Sequence, residues 1–294
     1  MIELGTEWSN WLRANIQRRT SPDAMIKAMI SAGFDAATAT FVVTQAISPS
    51  MPSAIPTPKT AYVPPFPSAG RPVSTYQNDV IPVAAGNRID VGDRVVTVET
   101  RIDRPCVIVF NNVLSDEECD TLIKLSRPRL KPSSTVDPVT GKLEVTGHRI
   151  SEGMSFRRCE DEFITRIEQR IAKLMNCPIE NGEGLAILHY NLGQQYHPHF
   201  DYFPPQNPGS QKRMAVGGQR VSTLITYLND VEEGGETFFP DAGISVCPRK
   251  GAAVYFLYCN AQGHVDPLSL HGGKPVVSGE KWIVTKWMRQ RPFG

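Results

Sequence analysis

Two periodicities divide the chain. From residue 3 to 47 the apolar positions follow a helical repeat. Trp8, Leu12 and Ile16 recur every four residues, which places them on one helix face. Ser21-Pro22 then opens a second helix, with Ser21 as N-cap and Pro22 at the first helical position. Met25, Ile26, Met29 and Ile30 form its apolar face, and Gly33 ends it. Residues 34–47 predict a third helix. Downstream of residue 77 the pattern changes. CVIVF (residues 106–110) reads as a buried strand, and Ser115 caps an amphipathic helix with Asp116, Glu117 and Glu118 in its first turn. Residues 160–175 carry Phe163, Ile164, Ile167, Ile171 and Leu174 on one helical face. Strands are then predicted at 185–190, 195–202, 221–228, 244–247 and 252–257, around Val276, and at 282–288. Many short strands after two helices predict a mainly β fold, a sandwich or barrel with helices on one outer face.

Between these regions, residues 48–76 hold eight prolines spaced by Ser, Thr and Ala, the composition of a semi-extended linker. The expected organisation is a helical module (1–47), a Pro-rich linker (48–76) and a catalytic domain (77–294). The two modules should tumble with some independence, so deletion of residues 1–76 should leave a folded catalytic domain. Lys and Arg exceed Asp and Glu by 31 − 30 = 1, so no global field recruits nucleic acid or an anionic membrane. The N-terminus lacks a basic stretch followed by an apolar run, and nothing approaches the length of a membrane span. Six cysteines without CxxC spacing read as free thiols. These features point to the cytoplasm, with a bacterial one as the expectation.

His199 and Asp201 stand two apart in HPHFDYF. On a strand, residues two apart share a face, so an imidazole and a carboxylate can reach one metal ion. His271 in SLHGG could supply a third ligand. Two His and one carboxylate leave coordination positions open, which suits Fe(II). His197 shares the face of His199 and competes with it; His189 and His264 are further candidates. Lys281 enters the apolar run WIVTKW, and a buried lysine needs an anionic partner unless it snorkels to the rim.

Five stretches extend this pattern: RPCVIVFNNVLSDEECDTLI, TGHRISEGMSF, LHYNLGQQYHPHFDYF, RVSTLITYLNDVEEGGETFFP and SLHGGKPVVSGEKWIVTKW. With them the chain, from about Arg104 to Met288, resembles the catalytic domain of prolyl 4-hydroxylases, within the 2-oxoglutarate- and Fe(II)-dependent dioxygenases. The resemblance implies a double-stranded β-helix (jelly-roll) core with flanking helices. It implies that His199, Asp201 and His271 bind Fe(II), and that Lys281 pairs with the distal carboxylate of 2-oxoglutarate, assisted by Tyr190 and Thr237. Arg149, Tyr196 and Arg220 match positions that line the substrate groove, as do Glu183 and Trp287 more loosely. The implied reaction consumes O2 and 2-oxoglutarate, releases succinate and CO2, and hydroxylates a prolyl residue of a peptide or protein, with C4 as the favoured carbon and L-ascorbate keeping the iron reduced. Two polar segments, 133–148 and 204–219, correspond to loops that fold over the peptide. Lys274 stands where related sequences often carry a cysteine. The alternatives are a hydroxylase of the same family acting on a free amino acid or another side chain, a non-catalytic binding module, and a Zn hydrolase, which would have no use for Lys281. The oligomeric state is not readable from the sequence.

Overall fold

The structure is a computed structural model. It describes residues 6–18, 20–47, 76–77, 79–136, 143–144 and 149–294. Almost all of the Pro-rich linker, and most of the 133–148 loop, lie outside the described residues.

The N-terminal helices are α1 (Thr6–Gln17), α2 (Pro22–Ser31) and α3 (Ala36–Ile47). The Ser21 hydroxyl accepts from the Ala24 amide at 3.3 Å, the cap expected from Ser21-Pro22. Gly33 takes the left-handed φ of +96° that ends α2. Trp11, Leu12, Met25, Ala28, Met29, Val42 and Val43 make a small core of their own. Ile30, placed on the apolar face by periodicity, is 43% exposed; Ala28 takes its place inside.

This core also packs against Leu192 and Val277 of the downstream unit, and Arg18 pairs with Glu233 across the junction at 2.8 Å. The expectation of independent tumbling is therefore corrected: the helical module has an apolar face that needs covering, and Leu192 and Val277 meet it. Deleting residues 1–75 should leave the catalytic unit folded but expose Leu192 and Val277. Burying two such side chains is worth about 1–3 kcal/mol, so the thermal midpoint should fall by roughly 2–10 °C, read by differential scanning fluorimetry. An unchanged midpoint would show that the docked face contributes nothing.

The downstream unit contains β1 (Arg88–Asp90), β2 (Val95–Ile102), β3 (Cys106–Asn111), α4 (Asp116–Ser126), β4 (Lys131–Pro132), β5 (Thr135–Val136), β6 (Leu143–Glu144), β7 (Glu152–Ser155) and α5 (Glu162–Met175). Then follow β8 (Ala186–Tyr190), β9 (Tyr196–His199), α6 (Pro208–Met214), β10 (Arg220–Tyr227), β11 (Glu233–Gly234) and β12 (Thr237–Phe239). The chain closes with β13 (Ile244–Val246), β14 (Ala253–Leu257), β15 (His271–Gly273), β16 (Val276–Ser278) and β17 (Lys281–Arg289). A major sheet runs in the order β1-β2-β3-β14-β10-β17-β8-β7-β4, and a minor sheet in the order β13-β12-β15-β9. All their pairings are antiparallel.

Strand alternation sorts the major sheet into two cores. Along β14, Ala253, Tyr255 and Leu257 face the helices α4 and α5. Val254 and Phe256 face inward, with Phe239 and Val246 of the minor sheet. Both faces are covered, which is why these strands read as unbroken apolar runs. The result is a jelly roll with helices on one outer face. Among the described residues no helix is long and apolar enough to cross a membrane.

The segment 204–219 is not the open polar loop its composition suggests. It contains α6, and Arg289 donates to the backbone oxygens of Arg213 and Val216, each at 2.6 Å. Gln219 clamps the Phe203 backbone, donating to its carbonyl and accepting from its amide, each at 2.7 Å.

Candidate active site

The minor sheet assembles the metal-binding geometry. His199 ends β9 and His271 begins β15, and the two face each other in the antiparallel ladder. Their ring centroids are 4.4 Å apart. Asp201 lies just past the end of β9. Its Oδ1 is 3.6 Å from His199 Nε2 and its Oδ2 is 3.6 Å from His271 Nε2. One ligand atom from each of the three lies within 4.8 Å of the others, a spacing that a single ion can fill. Each imidazole is turned by a backbone carbonyl: His199 Nδ1 donates to the His197 oxygen at 2.9 Å and His271 Nδ1 to the Ser269 oxygen at 3.0 Å. Both Nε2 lone pairs then face the shared space.

The electrostatics agree. Burial, reinforced by the neighbouring His199, pushes the His271 imidazole down to about 4, so it is neutral at neutral pH and able to ligate. Burial alone would raise the Asp201 carboxyl, but the facing histidines and Arg220 outweigh it and hold Asp201 well below the ordinary carboxylate range.

The competing histidines fall away. His197 contributes its backbone oxygen and lies outside the cluster. His189 lies within β8, stacked on its ladder partner Trp282, with Nε2 2.7 Å from Glu280 and outside the cluster. His264 is exposed in a turn.

Lys281 starts β17 and pairs in register with Tyr190 of β8. It is only 3% exposed, and its ammonium lies 5.4 Å from the Tyr190 ring centroid and 5.9 Å from that of Tyr227. Burial pushes it down to about 8. Among the described residues its ammonium finds no hydrogen-bond acceptor and no ion-pair partner, so the snorkelling alternative is not what is seen. Tyr227 donates to Thr237 Oγ1 at 2.9 Å, which ties Thr237 to the same pocket. Sequence reasoning missed Tyr227; it is hidden inside the apolar run of β10. A Cβ on Gly273 would come within 3.5 Å of the Lys281 ammonium, and one on Gly235 within 3.3 Å of its Cδ. These glycines keep the space around the lysine open, and β15, which carries His271, also walls the lysine.

The remaining residues form two groups. Tyr196 stacks on His199 with centroids 3.6 Å apart, and Arg149 lies 5.3 Å from the Tyr196 ring, held by donation to the Ser134 carbonyl. On the other side, Arg220 lies 4.0 Å from the Trp287 ring and donates to both Glu183 oxygens, at 2.7 and 2.8 Å. Arg289 also bonds Glu183, at 3.1 Å. The Glu183 carboxyl is thus engaged by two guanidiniums, and these hold it below its ordinary range despite burial. Arg220 reaches the Asp201 backbone oxygen at 3.4 Å, linking this group to the histidines. Lys274, the departure noted in the sequence, lies 4.0 Å from Glu236 and outside the metal cluster.

A His–Asp–His cluster in a jelly roll, with a buried lysine on the major sheet, is the arrangement of a 2-oxoglutarate- and Fe(II)-dependent dioxygenase. Residues 185–289 match the family model described as the 2OG-Fe(II) oxygenase superfamily. Prolyl 4-hydroxylase 5 of Arabidopsis thaliana is 38% identical over 251 residues, covering 78% of this chain and 84% of the relative. Prolyl 4-hydroxylase 1 of the same plant is 46% identical over 202 residues, covering 64% and 70%. The crystal structure of the viral collagen prolyl hydroxylase from Paramecium Bursaria Chlorella virus-1, as its 2OG complex, matches with a TM-score of 0.50 at 30% identity, over 62% of this chain and 95% of that one. The chain belongs to the prolyl 4-hydroxylase family.

Proposed function

We propose that the protein hydroxylates a prolyl residue, at C4, in a peptide or protein, with His199, Asp201 and His271 holding Fe(II) and Lys281 anchoring the distal carboxylate of 2-oxoglutarate. The observation that carries the reading is the pairing of an open three-ligand cluster on the minor sheet with a buried ammonium on β17 of the major sheet that has no ion-pair partner among the described residues. When bound, Fe(II) with 2-oxoglutarate and O2 supplies the oxidation: one oxygen atom goes to succinate as CO2 leaves, and the other goes to the substrate C–H bond. The chain does the rest. Lys281, with Tyr190 and the Tyr227–Thr237 pair, fixes one end of the co-substrate. The two Nδ1 hydrogen bonds aim the ligand lone pairs. The jelly-roll core keeps bulk water from the Lys281 pocket.

The peptide lies, in this reading, between Tyr196–Arg149 and Arg220–Trp287, which flank the metal cluster. Glu183 acts, in this reading, by holding Arg220 over Trp287. L-Ascorbate is the reductant that restores Fe(II) after turnover without peptide. A cytoplasmic setting is part of the proposal: all six cysteines are free, which suits a reducing compartment.

Mass spectrometry across a panel of proline-containing peptides, with Fe(II), 2-oxoglutarate and ascorbate, tests the substrate class. A gain of one oxygen on proline, matched by succinate, is the expected result; oxygen on a free amino acid or another side chain would move the enzyme to a different substrate. Arg220→Ala should lower peptide kcat/KM by about 10–100-fold, the equivalent of a charged hydrogen bond, while sparing uncoupled 2-oxoglutarate decarboxylation. Arg149→Ala and Tyr196→Phe should act in the same direction. Glu183→Gln should follow Arg220→Ala at smaller amplitude. Equal loss of coupled and uncoupled turnover would make these residues supports of the barrel.

A further inference from the structure

Behind Asp201 lies a chain of hydroxyls that no ligand reading uses. Thr223, in the middle of β10, is wholly buried, as is Tyr258 just after β14. Thr223 Oγ1 donates to Asp201 Oδ2 at 2.7 Å, and Tyr258 OH lies 3.1 Å from Thr223 Oγ1. A hydroxyl has one proton. Thr223 spends its proton on the carboxylate, so the second contact must run from Tyr258 to Thr223. The chain Tyr258→Thr223→Asp201 is therefore directional, and each donor polarises the next. Tyr258 is itself fixed, because its backbone amide donates to the Val221 carbonyl at 3.0 Å. Thr223 is held between its ladder partners Phe256 and Trp287.

We infer that Thr223, with Tyr258 behind it, is a positioning pair that makes Asp201 a one-oxygen ligand. Oδ2, 3.6 Å from His271 Nε2, spends a lone pair on the threonine proton, which makes it the poorer donor, whereas Oδ1, 3.6 Å from His199 Nε2, keeps both of its lone pairs for the ion. The consequence is a count of coordination positions. A carboxylate that chelates with both oxygens takes a position that the keto acid and O2 need. The hydroxyl chain spends the surplus oxygen inside the protein and keeps that position open. Neither residue touches the ion, so both act through the carboxylate.

The inference rests on the metal reading of His199, Asp201 and His271, and the test separates the two. The full-length protein, freed of metal, is titrated with Co(II), following the visible absorption band and the affinity. Thr223→Val keeps the side-chain volume and removes the hydroxyl. It should weaken Co(II) binding by about 10–100-fold, the usual size of an effect transmitted through a ligand's hydrogen-bond partner, and alter the band. Thr223→Ser should restore both to within about threefold, and Tyr258→Phe should fall between. Melting of the metal-free proteins is recorded alongside, since a merely structural role would shift the melting temperature and leave affinity alone. Wild-type affinity and spectrum in Thr223→Val and Tyr258→Phe would overturn the inference, as would a loss that Thr223→Ser fails to restore. If Thr223→Val does not fold, Tyr258→Phe carries the same decision. Co(II) uptake that survives His271→Ala unchanged would instead refute the metal site, and the inference with it.

Discussion

His199→Ala, Asp201→Ala and His271→Ala should each reduce turnover to background, and His197→Ala should not. The three side chains converge on one space with no fourth His, Cys, Asp or Glu grouped with them among the described residues, so no neighbour can substitute. The losses differ in kind. Removing Asp201 takes away the only negative charge of the set and leaves Thr223 without its acceptor, so the metal-free protein should also be destabilised. His271→Ala opens a cavity in a site only 3% exposed. His199→Ala strips the Tyr196 ring of its stacking partner and should therefore weaken peptide coupling in any residual activity. His197 side-chain removal leaves the backbone oxygen that orients His199. An exposed substitution of this kind is worth within about 0.5 kcal/mol, roughly a twofold change. Iron content by colorimetric assay, beside succinate release, decides the matter; loss of iron in His197→Ala with retention in His199→Ala would reassign the ligand.

Lys281→Ala should weaken 2-oxoglutarate binding by about 100-fold or more, since leaving one partner of a buried ion pair alone costs about 3–5 kcal/mol. Iron binding should survive. Lys281→Arg should recover only part of the affinity, because a planar guanidinium fills the glycine-walled space differently from an ammonium. The pH dependence follows from the lysine's depressed pKa. Below about pH 8 the ammonium is charged and ready for a carboxylate. Above that pH each further unit should raise the 2-oxoglutarate dissociation constant by about tenfold, because a proton must be taken up on binding. Stability of the ligand-free protein moves the opposite way. Between about 8 and the ordinary lysine value of 10.5 the unfolded chain holds the extra proton, so stability rises as pH rises through that window. Anaerobic titration of the Fe(II) protein, read by its charge-transfer absorption, measures the binding. A flat pH profile, or an unchanged curve for Lys281→Ala, would remove Lys281 from the site.

Residues with local signals were legible in the sequence. Ser115 announces its helix, and the structure gives it a full capping box with Glu118. Buried strands such as 106–110 are visible because both faces are apolar. β12 is three residues long, too short to display a period of two, and β2 is half exposed along most of its length; both went unread. The His199–Asp201 spacing pointed to the right pair for an incomplete reason. Strand alternation puts His197 on the face of His199, yet Asp201 joins the cluster from beyond the strand end, and His197 stays exposed and outside the cluster. Thr223 and Tyr227 were invisible for a different reason. Both sit within VSTLITY, where a hydroxyl among apolar neighbours has no local signature, and their partners Asp201 and Thr237 are defined only by folding. The helical module was visible, but its docking on Leu192 and Val277 was not, because no local pattern tells an exposed apolar residue from one covered by a distant element.

The ladder between β9 and β15 has a mechanical side. β9 is the edge strand of the minor sheet, joined to β15 by two register pairs with a break between them and met on its outer side by a single bridge from Arg149 to Tyr196. One of those pairs is His199 with His271. An ion held by both imidazoles would bridge the two strands at that rung, as a rivet does. Amide exchange at Tyr196, His197 and His199 should therefore slow sharply on metal loading, while exchange in β14, paired on both sides, stays as it was. The strand that presents the active site would then be the last part of the minor sheet to become rigid.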